Sequence, residues 1–476
     1  MKKTLLLLTV LLFNLTVFSH PWKPSHYVII DTDGGIDDIR TISMLLASPD
    51  VRVLAVTISS GALSYENAYL KLKSLLNSYW HDGLPVGINR AGTFRSPEFP
   101  VALKADWGNE SKLNHQDAPG SIRLIDEILY AEKQEISFIC LGGMTTASMA
   151  LKEIPSFSKK VKVIIWSAGK SDYNKGFNYL IDKESSENIM KGSIPVKLIG
   201  NVNEPIFYDD ALLKSISGIP TKYAGNITAF FKTEEAKNHD YSFTANDEMV
   251  ALFLHFPSLF HPEDSKSKVI HPSDINKLRE GSLKILAGET VAGNQVIKAF
   301  PSDPLFYFDD IQAYVKDIIN KYGRDEWSSG VIANELHRHL GVFAIIGVKM
   351  GIRAREYFNT GVDEFRTISL AGSAPPLSCM NDGIQVSTGS TPGHGLLTVA
   401  DTDHATPSAE FTYMNRKIKL TLKPEIAQQI SSELKEINFI HGLDSNIYWE
   451  LVRKNSIKYW LELDRHEIFI IEEIPV

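Results

Sequence analysis

The 476-residue chain is 43% hydrophobic and 22% charged, with a formal net charge of -8. Its length exceeds what one hydrophobic core usually supports, so two domains are expected. The acidic balance excludes a polyanion-binding surface, which needs clustered Lys and Arg, and points to a small-molecule ligand with no nucleic-acid partner.

In chain order, Lys2 and Lys3 precede an apolar run over 4–18, and small Ser19 precedes a polar, proline-containing stretch. This pattern predicts a signal peptide over 1–19, hence a secreted or periplasmic protein with no membrane span after cleavage. From residue 27 onward, short apolar runs alternate with segments of helical periodicity. Strands are predicted at 27–30, 51–58, 84–88, 136–141, 161–166 and 196–199. Helices are predicted at 38–47, 67–77, 122–132, 146–153 and 184–191. The alternation predicts an α/β fold with a mostly parallel, doubly wound sheet. Ligands of such sheets bind beyond the carboxyl ends of the strands, here marked by Asp31–Gly35, Ser59–Gly61, Gly142–Thr145 and Ser167–Asp172. The pattern breaks at 323–330, so the first domain is expected over 26–325 and a smaller α+β domain over 328–476. The two cysteines, Cys140 and Cys379, do not suggest a disulfide framework.

Asp31, Asp33, Asp37 and Asp38 fall between a predicted strand and a predicted helix. Carboxylates this close repel one another, and a hard cation with oxygen ligands offsets that directly. An acidic helix cap in a solvated turn is the alternative, and it explains one or two aspartates better than four.

Residues 28–38, Val-Ile-Ile-Asp-Thr-Asp-Gly-Gly-Ile-Asp-Asp, resemble the D-T-D-P-G-x-D-D signature of the inosine-uridine-preferring nucleoside hydrolases. Three later segments follow in the family's order: Leu141-Gly-Gly-Met-Thr-Thr-Ala, Phe177-Asn178, and Ala245-Asn246-Asp247 with the helix after it. The resemblance implies a Ca2+ ion held by Asp33, Asp38, the backbone carbonyl of Thr145 and Asp247. It implies hydrolysis of an N-ribosidic bond, with Asp33 as general base on a metal-bound water. Asp37 and Asn178 would bind ribose hydroxyls, and Asn246 would also face the nucleoside-like substrate. Gly34, Ala62, Gly176 and Asn246 stand where the family has proline, asparagine, glutamate and histidine. Asn246 cannot serve as a general acid. Asp106, Trp107 and Tyr173 are candidates for an aromatic wall. Two alternatives are a ribosyl-ligand binding domain without turnover and a Mg2+-dependent phosphohydrolase of the haloacid dehalogenase type, whose nucleophile would be the first aspartate.

The second domain resembles the E-type subunits of formylmethanofuran dehydrogenase, through Glu335-Leu-His337-Arg-His339-Leu-Gly341 and Cys379-Met-Asn-Asp382-Gly. His337, His339 and Cys379 are candidate ligands for a second metal, Zn2+ being the natural choice for such donors. The family usually has cysteine where Gly341 stands. Homo-oligomer formation is left open by the sequence.

Overall fold

The computed structural model describes residues 23–476 except 92–96, 170–171, 202–205, 263–267, 291–295, 298 and 402–403. The segment read as a signal peptide lies outside the described residues. Among the described residues, no helix is long and apolar enough to cross a membrane.

Strands β1 (His26–Thr32), β2 (Val51–Ile58), β3 (Val86–Ile88), β4 (Ile136–Cys140), β5 (Val161–Gly169), β6 (Val196–Gly200), β7 (Phe260–Pro262) and β8 (Val269–Pro272) form one sheet. Their order is β3-β2-β1-β4-β5-β6-β8-β7, parallel throughout except for the edge pair β7–β8. Every residue of β2 is buried, as in a strand covered on both faces, and its sequence is apolar apart from Arg52 and Thr57. Alternate side chains feed two cores. Val28 and Ile30 pack with the helices Ile36–Ala47 and Glu248–His255 on one face. Ile29 packs with the helices Ser121–Ala131 and Thr145–Glu153 on the other. The sheet is doubly wound, as the alternation predicts.

Strands β9 (Arg366–Ser369), β10 (Leu397–Val399), β11 (Ser408–Tyr413), β12 (Arg416–Leu422) and β13 (Phe469–Ile474) form a second sheet, ordered β10-β9-β11-β12-β13. Only β9 and β10 run parallel. The helix Val342–Phe358 lies on this sheet through Phe343, Ile346 and Met350, against Phe411, Ile418 and Leu420. The helix Val315–Tyr322 packs with Trp327, Ile345 and Trp460 of this second module. This helix precedes the break in the sequence pattern at 323–330 yet packs with residues that follow it.

The modules meet through polar anchors. Arg52 of β2 donates to Glu364 at 2.9 Å, Arg353 pairs with Asp82, and Trp80 stacks on His466 with ring centres 3.9 Å apart. Behind these lies a buried charge network. Lys349 and Glu326, both 0% exposed, pair at 2.6 Å. Arg465 bridges Glu326 at 3.0 Å and Glu356 at 2.7 Å. Burial works against ionisation of Glu356, but His466 and Arg465 hold its carboxylate well below the usual range. Removing one partner from such a network strands the others without compensation, at a cost of about 3–5 kcal/mol. Glu326→Gln should lower stability by about that amount, seen as a reduced midpoint in urea unfolding. An unchanged midpoint would mean that Lys349 and Arg465 are solvated in solution.

Candidate active site

The site forms where β1, β2 and β4 end side by side. The Ser59 N–H donates to the Thr32 carbonyl at 3.0 Å, and the Leu141 N–H to the Asp31 carbonyl at 2.9 Å. These bonds bring the turns after the three strands against one another. Gly34 turns the chain after Asp33 with φ of 84°, and an added Cβ would lie 2.7 Å from the Ala68 Cβ. Proline, fixed near -65°, cannot adopt that conformation, so glycine here follows from the turn.

The helix Ile36–Ala47 then starts with Asp37 and Asp38 in its first turn, where the positive end of the helix dipole favours carboxylates. Asp37, Asp38 and Asp247 each place an oxygen within 4.8 Å of the others. Asp38 Oδ2 accepts from the Thr32 hydroxyl at 2.5 Å and the Asp33 N–H at 2.9 Å. Asp33 lies beside this group rather than within it. Its carboxylate receives the Ala62 and Gly35 N–H groups, yet its Oδ2 is buried without a partner. Glycines frame that oxygen: an added Cβ would come within 2.1 Å at Gly61 and 3.0 Å at Gly142. Burial, then the charge of Asp38, raises Asp33 well above the usual carboxylate range. Burial likewise raises Asp38, and burial followed by Asp37 raises Asp247. Asp31 stands apart. It is fully buried, accepts from Thr57 at 2.6 Å and Ser59 at 2.9 Å, and burial pushes it up to about 7.

Asp247 reaches Asp38 because a buried clip joins their helices. Arg40, one turn past Asp37, pairs with Glu248 at 2.6 Å, both side chains being 0% exposed. Arg40 also donates to the Ser242 carbonyl at 2.5 Å and the Thr244 carbonyl at 3.0 Å. The Tyr208 hydroxyl completes the clip by donating to Glu248 at 2.9 Å. No local motif marks Arg40 or Glu248, so sequence reasoning missed both.

The remaining candidates fall around the carboxylates. Asn246 donates to Asp37 at 2.9 Å and accepts from Asn201 at 2.9 Å, which ties its amide in place. The Asn178 amide nitrogen spans the Leu141 and Ser167 carbonyls at 2.5 and 3.1 Å, bridging the ends of β4 and β5. Thr145 opens the helix Thr145–Glu153, its hydroxyl donating to Asp182 at 2.8 Å. At Gly176 an added Cβ would lie 2.9 Å from the Ala168 carbonyl, so a glutamate has no room. Trp107 is not part of a wall: it is 1% exposed and stacks on Phe230. Tyr173 packs edge-on to Trp166 and Tyr179. Exposed rings nearer the site are Phe99 and Phe177, 4.9 Å apart, Phe99 being tied by its N–H to the Ala62 carbonyl.

In the second module, His337 Nδ1 is bound to Asp382 at 2.7 Å, while its Nε2 is buried without a partner. The His339 ring lies 4.2 Å from that of His337. Burial pushes the Cys379 thiol up to about 11, which disfavours the thiolate that binds metal. Among the described residues, His337, His339 and Cys379 do not gather into a three-donor group; the only such group is Asp37, Asp38 and Asp247. An added Cβ at Gly341 would fall 3.3 and 3.5 Å from the Nε2 atoms of His337 and His339. A cysteine there could join the two histidines, and glycine removes that donor.

Fold and cluster together define a doubly wound α/β protein with an oxygen-only acidic site at the carboxyl end of its sheet. Residues 28–306 match the family model of the inosine-uridine preferring nucleoside hydrolases, and the chain belongs to that family. Residues 336–462 match the family model described as FmdE, molybdenum formylmethanofuran dehydrogenase operon. A probable uridine nucleosidase of Oryza sativa subsp. japonica is 26% identical over 261 residues, spanning 50% of this chain and 77% of that protein. An inosine-uridine preferring nucleoside hydrolase of Leishmania major is 23% identical over 258 residues, spanning 50% and 81%. The solved nucleoside hydrolase of Bacillus anthracis aligns with a TM-score of 0.45 at 16% identity, covering 56% of this chain and 99% of that one. Family membership supports hydrolysis of an N-ribosidic bond of a small nucleoside.

The raised carboxylates set a pH dependence. Each folded-state pKa exceeds that of the unfolded chain, so the metal-free folded protein binds more protons than the unfolded one. The resulting stability is complete below roughly pH 4 and is lost as pH rises, for Asp31 through about 7. Chelator-treated protein should therefore lose denaturation free energy between pH 5 and pH 8, and Asp31→Asn should lose less. Equal losses in the two proteins would show that Asp31 ionises freely when folded.

Proposed function

We propose that the first module hydrolyses the N-ribosidic bond of a nucleoside-like small molecule, with Ca2+ as its cation and Asp33 as general base. The observation that carries this reading is the buried, unpartnered Oδ2 of Asp33 beside three further carboxylates. An all-oxygen donor set suits a hard cation, and fixed negative charge suits a bond whose cleavage makes the sugar cationic. Asp38 and Asp247, flanked by Asp33 and Asp37, would hold the ion with the Thr145 carbonyl. When bound, calcium would polarise oxygen ligands and cancel the repulsion among these groups.

The protein's own groups divide the remaining work. Asp33 takes a proton from the water that attacks C1′, its Oδ2 being the buried carboxylate oxygen left without a partner. Asp37, oriented by the Asn246 amide, accepts a ribose hydroxyl. Asn178 has its nitrogen engaged by backbone, so its carbonyl oxygen is the part left to accept from the sugar.

The phosphohydrolase alternative would need the first aspartate as nucleophile, but Asp31 is buried and its oxygens are taken by Thr57 and Ser59. Binding without turnover has one observation in its favour. Asn246 is locked between Asp37 and Asn201 and has no proton to give the leaving base.

The test is ribose release from uridine, inosine and related N-ribosides by the full chain, with Ca2+ and after chelation. Release should require Ca2+ and fall at least about 100-fold in Asp33→Asn. Calcium-dependent binding of the same ligands without release would favour the non-catalytic reading, and full turnover by Asp33→Asn would exclude the mechanism.

A further inference from the structure

The leaving group decides how much help the ribosidic bond needs. Uracil or hypoxanthine departs from C1′ as an anion unless a proton reaches its nitrogen, and that proton is worth about 10²–10⁴ in rate. A pyridinium departs as a neutral pyridine and needs none. The residue before Asp247 stands where such a proton would be useful, since its side chain lies 2.9 Å from Asp37. It is Asn246, which gives an N–H to Asp37, accepts from Asn201 at 2.9 Å and carries no titratable proton.

The mouth of the site supplies a second, independent observation. β1, which leads into the Asp33 turn, lies between β2 and β4 in the sheet. On the β2 side, the Phe99 N–H donates to the Ala62 carbonyl at 2.9 Å, and the next residue, Leu63, donates its N–H to the Asp33 carbonyl at 3.0 Å. On the β4 side, Phe177 precedes Asn178, whose amide nitrogen holds the Leu141 and Ser167 carbonyls. The Phe99 and Phe177 rings meet with centres 4.9 Å apart, so the pair spans the end of β1. The two are 38% and 45% exposed. Ala62 and Gly176, beside them, bring no polar side chain. An aromatic face attracts a cation. So do the carboxylates of Asp33, Asp37, Asp38 and Asp247, whose summed charge exceeds that of one Ca2+ ion.

We propose that the substrate is a cationic N-riboside whose base is a pyridinium, held by its charge between the Phe99–Phe177 rings and the carboxylates. The proposal rests on the hydrolase reading above and names its substrate class. The C1′–N bond breaks with its electron pair passing to the ring nitrogen, which becomes a neutral pyridine. Water adds its oxygen to C1′ and gives one proton to Asp33, which releases it to solvent. The sum is riboside cation plus water giving ribose, the pyridine base and a proton. His239 and Tyr241, with ring centres 5.7 Å apart, lie on the turn before Asn246. A proton from either, or from any other group, would serve uridine, so the turnover of uridine reads their part directly.

The full chain with Ca2+ is given three ribosides: nicotinamide riboside, uridine and p-nitrophenyl β-D-ribofuranoside, whose phenolate also leaves without a proton. The kcat/KM on nicotinamide riboside should exceed that on uridine at least about 100-fold. Comparable values would show that a donor serves the base and would overturn the proposal. Turnover of the p-nitrophenyl riboside without that of nicotinamide riboside would overturn it too, while keeping the hydrolase reading. Turnover of none would remove both. Recognition of the charge is read apart from turnover with 1,4-dihydronicotinamide riboside, which has nearly the same shape and no charge. Calorimetry on calcium-loaded Asp33→Asn should give a Kd for nicotinamide riboside about tenfold below that for the dihydro form. Adding Phe99→Leu should shrink that preference about threefold. Equal affinities in Asp33→Asn, or a preference that Phe99→Leu leaves untouched, would contradict the proposed mode of recognition.

Discussion

The constraint on which the first module depends is the mutual repulsion of carboxylates that the fold forces together. Asp33, Asp38 and Asp247 are each at most 4% exposed, and Asp37 stands over them. Hydrogen bonds from Thr32 and the Asp33, Gly35 and Ala62 amides offset part of the cost. The Arg40–Glu248 pair does the mechanical work, since it draws the helix that begins after Asp247 onto the helix that carries Asp37 and Asp38. Burial then leaves the cluster with more proton affinity than ordinary aspartates have, which a cation can replace.

The second module is joined to this unit by charge as much as by apolar packing. Arg52 and Asp82 pair with Glu364 and Arg353 across the boundary, His81 is hydrogen-bonded to the Glu356 backbone carbonyl, and Glu326, Lys349 and Arg465 form the buried layer behind. Such pairs add little net stability over a well-packed apolar contact, but they penalise any shift that separates the partners. The donors near His337 are fewer than the sequence suggested. His337 is committed to Asp382, and Gly341 leaves a gap at the point nearest both imidazoles.

Much of this was legible in the sequence for identifiable reasons. Strands covered on both faces are rich in apolar residues, so β1, β2, β4, β5 and β6 stand out, and the helices between them show regular spacing. The aspartates were legible because their repulsion demands explanation wherever they occur together. What escaped notice depends on distance along the chain. Asn246 meets Asp37 across 209 residues, and nothing near Arg40 announces Glu248 as its partner. Trp107 resembled a ligand-facing ring, yet it stacks on Phe230 in the core. The short edge pair β7–β8 and the allegiance of the helix Val315–Tyr322 are likewise tertiary matters.

The central claim is that the carboxylate cluster is a cation site held in a proton-loaded state when empty. Titration calorimetry of Ca2+ into chelator-stripped protein, run at neutral pH in two buffers of different ionisation enthalpy, addresses it directly. The account predicts one ion per chain and an apparent enthalpy that differs between buffers, because protons leave the aspartates as the ion enters. Binding that is absent, or that releases no protons, would contradict it.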